Sequence, residues 1–187
     1  MKENLKKLSI GLMLLIAVVL LAGCSVGDSV DLSNLPEVKD LTEGNADYSR
    51  YTSTEGVSFA YPTEWVSVGT ETEPMFMDPN GTGSSVNYLT ESVSSALAFS
   101  TYVNSAIVNL KAEVDITGEI EKTEINLNGS QAFKLVYNMN EQGYDLFVTQ
   151  IIIKVGDSVH MVTVGGLAES ETELSEIYEN IASSLKK

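Results

Sequence analysis

Apolar residues recur along this chain with changing period, and each period predicts an element. From Val57 the period is two. Val57, Phe59 and Tyr61 alternate with Ser58 and Ala60, then Pro62-Thr63 turns the chain into Trp65-Val66-Ser67-Val68, and the two runs are expected to pair as a hairpin. Met75-Phe76-Met77 is a short strand closed by the turn residues Asp78-Pro79-Asn80-Gly81, and Ser85 to Thr90 returns as another strand. From Leu97 the period lengthens: Phe99, Tyr102, Val103, Ala106, Ile107 and Leu110 fall on one stripe of a helix, with Ser95 as the expected N-cap.

The period of two resumes at about Ile116 to Leu127, and Asn128-Gly129 suits a two-residue hairpin turn. Phe133, Leu135, Tyr137 and Met139 then share one face, and Gln142-Gly143 turns the chain again. Leu146 to Val155 is apolar on both faces, the mark of a central strand covered on both sides, and Val159 to Val164 is the last strand. A closing helix follows, with Leu174, Ile177, Tyr178, Ile181 and Leu185 as its buried stripe and Ser170 with Glu173 as a capping box. The order is four strands, a helix, four strands and a helix. Strands apolar on both faces, with two amphipathic helices to cover them, predict an α+β domain: an antiparallel β-sheet flanked by helices, an αβα sandwich.

The N-terminal part has neither period. Lys2, Lys6 and Lys7 precede an uncharged run from Leu8 to Gly23, which is the layout of a signal peptide. The tetrad Leu21-Ala22-Gly23-Cys24 resembles the lipobox of bacterial lipoproteins, and the resemblance implies cleavage before Cys24 and diacylation of its thiol, with palmitate among the chains carried. An uncleaved membrane anchor is the alternative, since about 18 uncharged residues reach across a bilayer. Residues 24–52 then carry six carboxylates against Lys39 and Arg50 with no apolar period, and are expected to be an acidic flexible linker. Tyr48 and Tyr51 at its edge are candidates for docking onto the domain. The expected organisation is a signal peptide over residues 1–23, the linker over 24–52, and one domain over 53–187.

Charge and cysteine count narrow the function. The chain of 187 residues has 11 Lys and Arg against 26 Asp and Glu, a net charge of −15, and the domain alone carries 19 acidic and 6 basic residues. Nucleic-acid affinity comes from clustered cations releasing counterions, so no nucleic-acid partner is expected. The single Cys, already assigned to lipidation, leaves no disulfide scaffold or multi-Cys metal site.

Three stretches carry a family resemblance. Phe59-Ala60-Tyr61-Pro62-x-x-Trp65, Gly129-x-x-Ala132-Phe133-x-Leu135-x-Tyr137 and Ile181-Ala182-Ser183-Ser184-Leu185 resemble the PsbP-like superfamily, which takes in PsbP itself and the DcrB and LpqN lipoproteins. The resemblance spans nearly all of residues 56–187 and implies the fold. Its matching residues are structural, and none is an acid, base or nucleophile, so it implies no activity and no ligand set.

The remaining chemistry is sparse. His160, the sole histidine, shares a strand face with Val162 and Val164 and has no second ligand or catalytic partner in the sequence, so a structural or surface histidine is expected. Gly81-Thr82-Gly83-Ser84-Ser85 precedes a strand rather than a helix and lacks a G-K-[ST] ending, which disfavours a phosphate loop. Asp78 with Asn80, or Glu119, Glu121 and Glu124, offer oxygens to Ca²⁺, but the first lacks an EF-hand continuation and the others suit a solvated face. Trp65 and most of the tyrosines fall at core positions, where packing accounts for them. No catalytic residue, metal site or cofactor is expected, and no enzyme. The expected function is a lipid-anchored, extracytoplasmic, noncatalytic accessory protein of a cell-envelope assembly, held to the cell membrane by a diacylglyceryl group on Cys24. The alternative is a small-ligand or metal-binding lipoprotein associated with a transporter.

Overall fold

Eight of the ten strands described run in one sheet whose two faces are both buried. The computed structural model describes residues 30–187 apart from positions 72 and 95, and of Glu173 its backbone alone. Cys24 and the signal peptide lie outside the described residues, as does Ser95.

The strands are β1 (Glu37–Val38), β2 (Tyr48–Thr52), β3 (Ser58–Pro62), β4 (Val66–Ser67), β5 (Met75–Met77) and β6 (Ser85–Ser92), then, after helix α1 (Phe99–Glu113), β7 (Asp115–Leu127), β8 (Ser130–Glu141), β9 (Tyr144–Val155) and β10 (Ser158–Leu167). Helix α2 (Glu171–Ser183) follows. The main sheet has the order β1-β7-β8-β9-β10-β6-β5-β4. Three tight turns join β7 to β10, and Asn128 and Gln142 take positive φ of 50° and 53° there, each followed by a glycine that also has positive φ. All pairings in it are antiparallel except β1 with β7, so the sheet is mixed at one edge.

The central position of β9 and β10 explains their composition. Alternate residues of β9 enter opposite cores: Ile151 and Ile153 on one face, Leu146, Val148 and Ile152 on the other. Helix α1 covers the second face through Phe99, Tyr102, Val103 and Leu110, against Phe133, Leu135, Tyr137 and Met139 of β8. Helix α2 covers the first through Tyr178, Ile181 and Ala182, with Leu185 just beyond its end, all fully buried. At roughly 25 cal/mol per Å² of apolar surface, each large side chain so covered contributes about 1.5–3 kcal/mol. These are the stripes that the helical period predicts.

Four local expectations change. Trp65-Val66-Ser67-Val68 does not pair with β3. Instead β4 pairs with β5, and β3 pairs with β2 in a separate two-stranded sheet. The turn at Pro62-Thr63 redirects the chain, Trp65 N–H donating to the Pro62 carbonyl, but alternation of polarity carries no information about which strand is the partner. Residues 48–52, expected to be linker, are therefore sheet. They dock by Tyr51, whose ring lies 5.3 Å from Phe59 and 6.1 Å from Tyr88. Helix α1 starts at Phe99, after Ala98 and without a side-chain cap. The capping box does not form either, because Ser170 belongs to a 3-10 turn, Ala168–Ser170, that runs straight into α2, and its hydroxyl caps nothing.

Candidate functional site

The β2–β3 ribbon lies beside α2, and an open cleft of about 730 Å³ separates the two. The turn of residues 45–47 forms its rim. Asn45 Oδ1 accepts from the Asp47 amide at 2.9 Å, an Asx turn that lets the chain reverse after Gly44. Thr63 then ties that turn to β3: its amide donates to the Asp47 carbonyl at 2.8 Å and its hydroxyl to the Ala46 carbonyl at 3.3 Å. Across the cleft Asn180 Nδ2 donates to the Tyr48 hydroxyl at 3.3 Å, which sets the spacing between ribbon and helix.

Pro62, Ile177 and Tyr48 supply apolar surface, and Asp47, Glu64 and Glu176 stand as carboxylates around it. Among the described residues no lysine or arginine lines it. An exposed carboxylate attracts cations over roughly a Debye length, about 8 Å at physiological salt, so the three act together only on a group that enters the cleft. What the arrangement can do is hold a polar or cationic segment by hydrogen bonds at the rim and apolar contact below.

A second polar cluster lies at the root of β2. Asp40, with only 3% of its side chain exposed, accepts from Thr42 O–H, from the Thr42 amide at 2.9 Å and from Arg50, and stands 3.3 Å from Lys186 Nζ. Arg50 also donates to the Ser184 carbonyl at 3.1 Å, joining β2 to the chain after α2. Burial pushes the Asp40 carboxyl up, but the Thr42 hydrogen bonds, Arg50 and Lys186 outweigh it and bring the group below the ordinary carboxylate range. A second cleft of about 510 Å³ near Lys154, Lys186 and Lys187 is basic in composition, but Lys154 donates to the Leu97 carbonyl and Lys186 pairs with Asp40 and Glu43. Most of its charge is used within the fold.

The residues singled out by the sequence fall elsewhere. His160 is 1% exposed on β10, its Nδ1 2.7 Å from the Tyr88 hydroxyl and its Nε2 3.6 Å from Glu55. Burial lowers its pKa, opposed by the Glu55 carboxylate, so the ring is a neutral core group tied to the β2–β3 turn. Asp78 is held in its own turn, accepting from Asn80 and, at 2.6 Å, from the Thr82 hydroxyl. From Thr82 the polar chain continues through Ser84, 2.9 Å away, to the buried Tyr178 hydroxyl at 2.7 Å. The Gly81 to Ser85 loop is thus tied down, with Ser84 and Ser85 buried. Glu119 and Glu121 are exposed along β7, as solvated charges are. Among the described residues no group of three or more His, Cys, Asp or Glu could hold a metal ion. Trp65 is in the core, and Tyr144, at 37% exposure, departs from the core placement expected of most tyrosines.

Neither the cleft nor the Asp40 cluster is marked in the sequence. Their residues come from segments more than a hundred positions apart, and the only local signals are the Asn45 turn and the unusual Tyr48 and Tyr51 in an otherwise acidic stretch.

No protein-family model matches the chain, and no curated protein does. Solved structures do. The chain is similar to the solution structure of cyanobacterial PsbP from Synechocystis sp. PCC 6803, with a TM-score of 0.60 and 16% identity over 76% of this chain and 94% of that one. It is similar to PA94 from Pseudomonas aeruginosa, with a TM-score of 0.56 and 17% identity over 76% of this chain and 98% of that one. LpqN from Mycobacterium tuberculosis, described as involved in cell envelope biogenesis, matches with a TM-score of 0.53 and 13% identity over 76% of this chain and 86% of that one. At these identities the likeness is one of fold, and it agrees with the sheet order and two-sided helical cover: the chain has a PsbP-like α+β fold.

Proposed function

We propose that this protein is a noncatalytic accessory protein, lipid-anchored through Cys24 on the extracytoplasmic face of the cell membrane, and that it acts in a cell-envelope protein assembly. The observation that carries the reading is the open cleft between the β2–β3 ribbon and α2, with carboxylates on its rim and apolar surface at its floor. A cleft open to solvent suits a polar segment of another protein, whereas a small substrate is ordinarily enclosed. The buried polar groups elsewhere, His160, Ser84 and Tyr178, are engaged with one another or with Tyr88 and Thr82. The lipobox-like Leu21-Ala22-Gly23-Cys24 supplies the anchor, since two acyl chains hold a protein that one chain holds only marginally. The fold likeness to LpqN supports the envelope setting.

The test is photocrosslinking in the native membrane from a reactive residue at Glu64, with Val108 on the far side, 66% exposed, as the control position. A protein adduct from position 64 and none from position 108 is expected. Absence of any adduct, together with a small molecule copurifying with the domain, overturns the proposal in favour of a ligand-binding lipoprotein. Cys24→Ala releases the protein from the membrane fraction, and a variant that stays fully bound refutes the lipid anchor.

A further inference from the structure

The chain that leads from Cys24 to the ribbon is itself docked, and weakly. Residues 30–47 reach the domain by polar contacts and by one half-buried apolar side chain, Val38, packed against the core cluster. β1 adds only Glu37 and Val38 to the outer edge of β7, in parallel register with Asn126 and Leu127. Beyond that two-residue ladder, the Asn126 amide donates to the Pro36 carbonyl at 2.9 Å and the Asn128 amide to the Val38 carbonyl at 3.4 Å. The Asp40 amide reaches Asn128 Oδ1 at 3.4 Å. The firm point is the Asp40 carboxylate, clamped between Arg50 and Lys186, with Glu43 on the other side of Lys186 at 3.5 Å. In this stretch Thr42 alone is buried, and Leu41 is 71% exposed. From Tyr48 onward the apolar attachment grows, because the two large rings of Tyr48 and Tyr51 pack against the core cluster that the strap reaches through Val38.

From these contacts we infer that residues 31–47 are a releasable strap, latched by Asp40, that sets how far the domain stands from the membrane. The inference rests on the lipid anchor at Cys24. With the strap docked, about six residues separate Cys24 from Val30, a covalent reach of at most about 20 Å. With it released, about 24 residues separate Cys24 from Tyr48, and the limit of reach rises to about 80 Å. A segment with few buried apolar contacts and edge hydrogen bonds belongs to the low end of local stability, so it opens while the two-sided sheet stays folded. A partner in the envelope that draws the domain outward then works only against the latch. Without the strap's docking the whole stretch from Cys24 to Tyr48 is a plain flexible tether at all times.

The test uses the full-length acylated protein in vesicles of phosphatidylethanolamine and phosphatidylglycerol. Hydrogen exchange is read in the peptides covering residues 36–45 and 126–129, against those of β9 and β10. In the wild type the strap amides are protected yet exchange faster than β9. Asp40→Ala speeds them on the order of 10- to 100-fold, as loss of a charge-assisted hydrogen bond does, and leaves β9 and β10 unchanged. Energy transfer from a dye on Val108→Cys to a headgroup dye falls in the same variant, reporting a larger mean height. Strap amides that exchange only together with β9, strap amides unprotected in the wild type, or energy transfer that ignores Asp40→Ala each overturn the strap. A chain found unacylated at Cys24 removes the membrane end and so overturns the spacer role, and the exchange data then show separately whether the latch itself exists.

Discussion

Gly166→Ala is expected to destabilise the domain by about 2–4 kcal/mol. Gly166 lies in β10 where the sheet meets both Ser84 and helix α2. A methyl group there would come within 2.6 Å of the Tyr178 hydroxyl, 2.8 Å of Ser84 Oγ and 2.9 Å of Ser84 Cα. The side-chain hydroxyls can move, but Ser84 Cα is backbone in a fully buried position, and its loop is held through Thr82 and Asp78. Overpacking of this kind costs about 1–3 kcal/mol, and separating the 2.7 Å Ser84–Tyr178 pair adds about 1 kcal/mol. For a domain of this size that is a fall in Tm of about 4–16 °C. Trp65, the sole tryptophan and 6% exposed, reports unfolding by its fluorescence in urea or on heating. Tyr178→Phe removes the nearest obstructing atom, so the double variant is expected to lose less than the two single changes together, by about 0.5 kcal/mol or more. A Gly166→Ala protein within about 0.5 kcal/mol of wild type, or strictly additive changes, would refute the close approach of α2 to this point of the sheet.

Three further outcomes follow from the packing. Tyr51→Ala, which deletes the contacts with Phe59, Phe76 and Tyr88, is expected to cost about 2 kcal/mol in urea unfolding, and a loss under about 0.5 kcal/mol would return residues 48–52 to the tether. His160 is held neutral by burial, its pKa lowered from 6.5, so the unfolded chain takes up a proton the folded one refuses and stability declines as pH falls below about 6.5, until the folded ring itself titrates. His160→Asn is expected to flatten that slope in unfolding measured between pH 7 and 5, and an unchanged slope refutes the assignment. Asp40 acts in a lower window with its pKa lowered from 3.8: its contribution is present above that value and is lost as pH falls through the folded pKa, so the protection of the strap amides, taken relative to the intrinsic exchange rate at each pH, is expected to fall in acid in the wild type and not in Asp40→Asn.

The alternation and helical stripes were sufficient to locate eight strands and two helices, because a face that must be buried repeats its apolar residues at the period of its backbone. β9 was legible as central from its lack of alternation, whereas β10 read only as the last strand and the burial of His160 was left open between core and surface. The pairing of β3 with β2 and of β4 with β5, and the docking of β1, were not legible, although Tyr48 and Tyr51 marked where the preceding stretch meets the domain. A strand's period states which face is buried and is silent on the partner across the hydrogen bonds, and a two-residue strand held by an ion pair has no period at all. Of the sites, Cys24 and its neighbours were read from a local motif. The cleft was not, since Asp47, Glu64 and Glu176 are ordinary surface carboxylates until the ribbon is laid beside α2.

Sequence by itself determined the elements, the two-faced sheet and the candidate anchor, all of which depend on residues near one another in the chain. Tertiary structure decided that residues 48–52 belong to the sheet, which strands pair in the ribbon, and what the acidic surface is shaped into. Those outcomes depend on which distant groups satisfy Arg50, Asp40, Tyr51 and Tyr178, and that competition is settled only when the chain is folded.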